Sequence, residues 1–473
     1  MEAPFSQYLE QRIPALSELL ASLADRFQFI SILGADTSGK EFAVSRSASE
    51  IKPTAFTECG FVIRMQRQGV LGEFSINGLP ADMEKLHDLI CTKAEKIFSF
   101  SDRFDTQLYP AISCTGGNEN FRQKVEVVPD ESDTEHIMAR LKTILDRLLN
   151  FNSKVSGITL KFSYEKCSKF FLTPAGCLTQ SLVYCDNPVY VNVRDDHGCR
   201  NLYQVLSRAA GLEVLDLIEE NLVTAVKRAL ELPGSAAVEP GIYEIICSPD
   251  ISGLIAHETF GHGTEADMLV QKRALSAQYI GRQVANPVVT LFDNPTLAGG
   301  YGSYFFDDEG TPASCTEIIG KGVLLLPISD LPSAWMTGFP ATGNGRRESF
   351  KRKAYPRMSN TYFAPGESSL DEMIRSVGRG FLLECGGGGV EDPKNWHLHC
   401  SSQFGREIAD GRLTGRIVSP VILTGFVPDL LQSISMVSRE TSFDWGGICT
   451  KGRKEGARVT LGGPYIKALG RLG

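Results

Sequence analysis

The sequence predicts an α+β protein, with N-terminal α/β layers followed by a larger, glycine-rich, mainly antiparallel β domain. Three observations predict it. Amphipathic helical stripes alternate with β-prone runs before residue 235. Beyond that point glycine and β-prone runs dominate and long helices become rare. Within the first thirty residues of the second region, two of the only seven histidines stand five apart, with a glutamate directly after the first.

The elements follow in order. Residues 1–20 spread Glu2, Glu10, Arg12 and Glu18 among spaced apolar residues. This reads as an amphipathic helix, because a secretory signal needs an uninterrupted apolar run. Across residues 27–79, runs such as Phe61-Val62-Ile63-Arg64-Met65 and Gly72-Glu73-Phe74-Ser75-Ile76 alternate with turn residues, the pattern of hairpin strands. Met83, Leu86, Leu89, Ile90, Ala94 and Ile97 then fall at helical spacing, so a helix covers that sheet. A second stripe of Ile137, Leu141, Ile144, Leu145 and Leu148 predicts another helix. Strands are expected over 157–164 and 189–193, and a helix over 201–232 that ends at Pro233-Gly234-Ser235. With 473 residues the chain exceeds one simple core. The expected domains are 1–100, 101–235 and 236–473.

Composition narrows the function. A net charge of -8 with dispersed lysines and arginines offers no basic face for nucleic acid. No apolar run reaches the roughly 20 residues of a membrane helix. Twelve scattered cysteines without a CxxC pair read as free thiols of a reducing cytoplasm.

The chemistry centres on His257-Glu258-Thr259-Phe260-Gly261-His262. Imidazoles bind zinc, and a carboxylate beside a metal-bound water can take its proton. On a regular α-helix residues five apart diverge by about 140°. The rings converge only if the helix widens or ends between them, a distortion that Gly261 permits. A catalytic zinc wants three protein ligands, and the third could be a cysteine, an aspartate, a glutamate or a remote histidine. By spacing alone Cys449, flanked by small residues in Trp445-Gly446-Gly447-Ile448-Cys449, is one cysteine among twelve. His397 and His399 alternate on a predicted strand, which fits a solvated face or a separate metal pair. Asp307-Asp308-Glu309-Gly310 reads as a solvated turn and Arg346-Arg347 as a surface ion-pairing site. The glycine run 386–389 lets another backbone come close, which suits an extended peptide.

Taken together, these motifs resemble the TldD/PmbA family, and in particular its TldD-type metalloprotease subunits. The similarity runs through the histidine motif and residues 263–267, then Asp307-Asp308-Glu309-Gly310 and residues 342–349. It continues through Pro356-Arg357-Met358-Ser359-Asn360-Thr361-Tyr362, the glycine run before Val390, Ile434-Ser435-Met436-Val437 and Cys449. The resemblance implies zinc on a short metal-binding helix, held by His257, His262 and Cys449, with Glu258 as general base on zinc-bound water. It implies small or unfolded peptides as substrates, drawn as extended strands into a chamber between two subunits, in a homodimer or a heterodimer with a PmbA/TldE-type subunit. PmbA-type subunits lack the metal motif, which places this chain on the catalytic side; the alternative is a non-catalytic scaffold or partner subunit. Within the shared motifs Arg346, Arg347, Gly386, Gly387 and Gly388 are the candidates for holding peptide. The chain departs from the family pattern in two places. Gln403-Phe404-Gly405 replaces the usual Glu-Ala-Tyr, and Val390-Glu391-Asp392-Pro393 is one residue longer than Val-Asp-Pro.

Overall fold

The computed structural model of the chain describes residues 1–101, 107–112, 117–130, 133–451 and 455–473. Two helices, α1 (Gln7–Glu10) and α2 (Ile13–Leu23), open it. Eight strands then build one sheet: β1 (Phe29–Ser45), β2 (Ser49–Pro53), β3 (Glu58–Arg67), β4 (Val70–Ile76), β5 (Glu119–Arg122), β6 (Val155–Thr173), β7 (Gly176–Asp195) and β8 (Gly198–Arg208). Its order is β4-β3-β1-β6-β7-β5, with β2 on β1 and β8 on β7. Three helices cover it: α3 (Met83–Ser101), α4 (Thr134–Leu149) and α5 (Val214–Leu230). The predicted stripe of α4 is its buried face, Ile137, Leu141, Ile144, Leu145 and Leu148. Each such side chain contributes about 1.5–3 kcal/mol on burial.

Two sequence expectations meet a different structure here. Residues 201–208 are strand β8, and the helix begins only at Val214. Leu202, Val205 and Leu206 mimic a helical stripe, but antiparallel pairing with β7, from Cys185↔Arg208 to Asp195↔Gly198, decides the conformation. Residues on both sides of the boundary expected at 100 also share one sheet, because β1 pairs with β6 from Ile32↔Leu172 to Ser45↔Thr159.

The second sheet is mainly antiparallel. Its principal strands are β9 (Gly241–Cys247), β10 (Arg379–Asp392), β11 (His397–Ala409), β12 (Val421–Phe426), β13 (Met436–Lys451) and β14 (Glu455–Leu472). The pairings β9–β10, β10–β11, β11–β12, β12–β14 and β14–β9 close a five-stranded ring, and only β9–β10 is parallel. Ile245, Leu383, Cys400, Leu423 and Ile466 belong to one apolar cluster of this region.

A polar seam joins the two sheets. Arg64 on β3 pairs with Glu73 and Glu309, Arg347 reaches Glu73, and Lys169 on β6 reaches Asp308. Asp307 accepts the amides of Glu309, Thr311 and Gly345. The acid cluster and Arg347 are therefore buried groups of an interface, where a solvated turn and a surface pair were expected. The departure at Gln403 also serves this seam: its side chain accepts from Tyr203 N–H (2.7 Å) and donates to Tyr203 O (2.5 Å).

Burial disfavours charge on Glu73, but Arg64 and Arg347 outweigh it and hold its pKa at about 2, against an ordinary 4.5. A depressed carboxylate adds stability above its unfolded value and loses it as pH falls toward the folded one. Stability should therefore decline between pH 4.5 and 2 by up to about 3 kcal/mol on this account. Melting curves against pH should show a shallower acid limb for Glu73→Gln, along with a lower midpoint at pH 7.

Candidate metal centre

Ser248 precedes a short helix, α6 (Pro249–Ala256), whose first turn carries the proline that a helix start tolerates. The helix lies flush on β14, because a Cβ on Gly253 would overlap the backbone of Gly462. Past Ala256 it widens. His257–Gly261 form a π turn in which His262 N–H donates to His257 O, an i→i+5 bond. Residues five apart thus stand one turn apart, with ring centroids 5.2 Å apart and planes at 83°. Gly261 is needed for packing as well as for the turn, since a Cβ there would run into the Met358 sulfur.

Cys449 arrives from β13, opposite Ala457 on β14. Its Sγ lies 3.2 Å from His257 Nε2 and 3.2 Å from His262 Nε2. Among the described residues these three form the group of donors able to hold a metal ion. Burial penalises the thiolate, but the two imidazoles outweigh it and bring the thiol pKa well below its usual range. Burial likewise opposes charge on His262, while Cys449 and Glu265 together raise its pKa well above normal. Arg357 donates to the Cys449 carbonyl (2.9 Å) and to its sulfur (3.3 Å).

Glu265 orients the second imidazole: its Oε2 lies 3.2 Å from His262 Nδ1. Its own burial is overcome by Lys451, 3.0 Å away, together with His262 and Arg357, and its pKa is depressed. Lys451 also pairs with Asp267. Glu258 is buried beside these three donors, and burial raises its pKa. A Cβ on Gly389 would come within 2.6 Å of the Glu258 side chain, so this glycine makes room for the acid.

His257, Glu258, His262, Glu265 and Cys449 line a cleft of about 540 Å³, walled by Gly388–Glu391 of β10 and Gly447–Lys451 of β13. On one side β10 pairs with β11 along its length; on the other it pairs with β9 only over Gly380–Leu383. Of the expected peptide-holding residues, Gly388 lines this cleft. Gly386 packs against Trp445 and donates its N–H to Asp250, and Gly387 sits at a bulge between Gly386 and Gly388. Arg346 and Arg347 lie outside it. Arg346 donates to the carbonyls of Met358 and Arg458, and Arg347 is committed to Glu73. His397 and His399 are exposed on β11 and join no metal-binding group among the described residues. Sequence reasoning missed Glu265, Arg357 and Lys451. Glu265 falls three residues after a ligand, and Lys451 shares a strand face with Cys449, so both spacings offered a signal.

A family model described as the PmbA/TldA metallopeptidase C-terminal domain matches residues 240–470. A metalloprotease TldD homolog of Haemophilus influenzae is 35% identical over 244 residues, 51% of this chain and 50% of that protein. The chain thus spans half the length of that relative. A metalloprotease of Synechocystis is 31% identical over 327 residues, covering 68% of this chain and 69% of its own. The structure of TldE from Thermococcus kodakarensis superimposes with a TM-score of 0.71 at 18% identity, covering 97% and 99% of the two chains. A Thermotoga maritima protein described as a modulator of DNA gyrase gives 0.74 at 18%, covering 99% and 100%. At that identity these two structures show the shared α+β fold alone.

A carboxylate that orients a metal-binding imidazole typically matters 10–100-fold in affinity. Glu265→Gln should weaken metal binding by about that factor, read by chelator competition. Unchanged affinity would remove Glu265 from the centre.

Proposed function

We propose a zinc-dependent peptidase acting on small or unfolded peptides for this chain, which belongs to the PmbA/TldD metallopeptidase family. The observation that carries the reading is one cleft in which His257, His262 and Cys449 converge with Glu258 beside them. The donor set suits zinc. Tetrahedral bonds of about 2.0–2.1 Å to nitrogen and 2.3 Å to sulfur separate those atoms by about 3.6 Å. The two His–Cys separations of 3.2 Å need only a few tenths of adjustment. Three protein ligands leave the fourth position for chemistry.

When bound, zinc supplies Lewis acidity toward water and the peptide carbonyl. Glu258 takes the proton of the attacking water and returns it to the departing amine. Its burial raises its pKa and so makes it a stronger base, which suits that exchange. Glu265 holds the His262 ring through Nδ1 and so presents Nε2 to the ion. The substrate lies as an added strand against the free edge of β10 at Gly388 and Gly389, where the absence of side chains admits its backbone. The fold shared with TldE supports a second subunit, either another copy or a TldE-type chain, closing the cleft into a chamber. The free thiols of the described cysteines support residence in a reducing cytoplasm.

Glu258→Gln should keep zinc, by elemental analysis, and lose peptide hydrolysis by about 10²–10⁴-fold. Normal turnover in a zinc-loaded Glu258→Gln protein would reject the mechanism. Cys449→Ser should lose or weaken zinc; full occupancy would place the third ligand elsewhere.

A further inference from the structure

Glu391 is the acid that the lengthened segment Val390-Glu391-Asp392-Pro393 brings to the cleft wall. Alternation along β10 turns Gly389 and Glu391 to the same side, Gly389 against Glu258 and Glu391 against Gly263. Gly263 directly follows the ligand His262. A Cβ on it would stand 2.9 Å from Glu391 Oε1, so the carboxylate lies at the edge of the metal centre. Both of its oxygens are buried, with no side-chain hydrogen-bond partner among the described residues; the Gly263 backbone N–H and the His262 imidazole face the carboxylate. The neighbouring cation Lys451 is committed to Glu265 and Asp267. A buried carboxylate held by one backbone N–H keeps unmet acceptor capacity, and in a substrate cleft a group the substrate brings can meet it.

We propose that Glu391 receives the α-ammonium of the substrate, making the chain an aminopeptidase that releases the first residue of a peptide. The inference rests on the peptidase reading above and specifies its substrate class. The geometry favours an α-amine over a lysine side chain. The nitrogen and carbonyl carbon of one residue are about 2.5 Å apart, so an ammonium on Glu391 sets the first peptide bond beside His262 and Glu258. A lysine ammonium sits at the end of a four-carbon stem and would displace its own carbonyl from the centre.

Three lysine-free or lysine-bearing versions of one peptide test this with zinc-loaded protein: free N-terminus without lysine, acetylated without lysine, and acetylated with a single lysine. The free peptide should be cleaved at its first bond, with kcat/KM exceeding both acetylated forms by roughly 10–1000-fold. Glu391→Gln should bring the three to near parity with zinc content unchanged, and Glu391→Asp should restore part of the preference. Binding gives an independent readout. Glu258→Gln protein should hold a C-terminally labelled free peptide at least about tenfold tighter than its acetylated form in fluorescence anisotropy, and the additional Glu391→Gln change should erase the difference. Equal cleavage and binding of free and acetylated peptides would overturn the proposal while leaving the peptidase intact. Rescue by the acetylated lysine peptide would overturn it in favour of a side-chain ammonium. Cleavage of no peptide at all would fail the peptidase reading itself.

Discussion

One backbone hydrogen bond, from His262 N–H to His257 O, is the constraint on which the centre depends. In an α-helical turn the two imidazoles would diverge by about 140°, and no single ion could touch both. Opening one turn to i→i+5 brings them to the same side at the cost of poorer helical bonding. Packing stabilises the arrangement: Gly253 lets the helix rest on β14, and Gly261 lets Met358 close against the widened turn. The motif is therefore as much a packing arrangement as a pair of candidate donors.

That turn was legible in the sequence, because a five-residue spacing followed by ligand convergence admits few backbones and Gly261 marks where the distortion falls. The third donor was not. Cys449 meets the histidines through the pairing of β13 with β14 and of β14 with β9, and no local periodicity reports such a contact; only the resemblance to a family singled it out. Strand pairing also explains why residues 201–208 read as helix and fold as strand, here in a hairpin with the adjacent β7. The acid cluster at 307–309 was misjudged for a related reason. Its charges look like those of a surface turn until Arg64 and Lys169, brought from the first sheet, are placed against them.

The first sheet supplies none of the three donors, yet it is tied to them through a short relay. The seam fixes Asp308, Glu309 and Arg347. Asp307 and Asp308 then accept the amides of Gly345 and Arg347, Arg346 holds the carbonyl of Met358, and Met358 abuts Gly261. Arg357, in the same loop, touches the Cys449 sulfur. The arginine pair is thus engaged in the architecture of this relay.

The ring of five strands is closed by pairing its first strand with its last, and the centre inherits this distance along the chain. His262 and Cys449 are separated by 187 residues. At about 5–20 residues per second, the intervening chain takes roughly 10–40 s to synthesise. During that interval a nascent chain carries both imidazoles and the acid but no thiolate, and β9 has no β14 to pair with. A chain cut before β13 is in the same condition. Synthesis through β13 is thereby a precondition for gathering the three donors, so the order of the residues itself keeps a shorter chain without the full donor set.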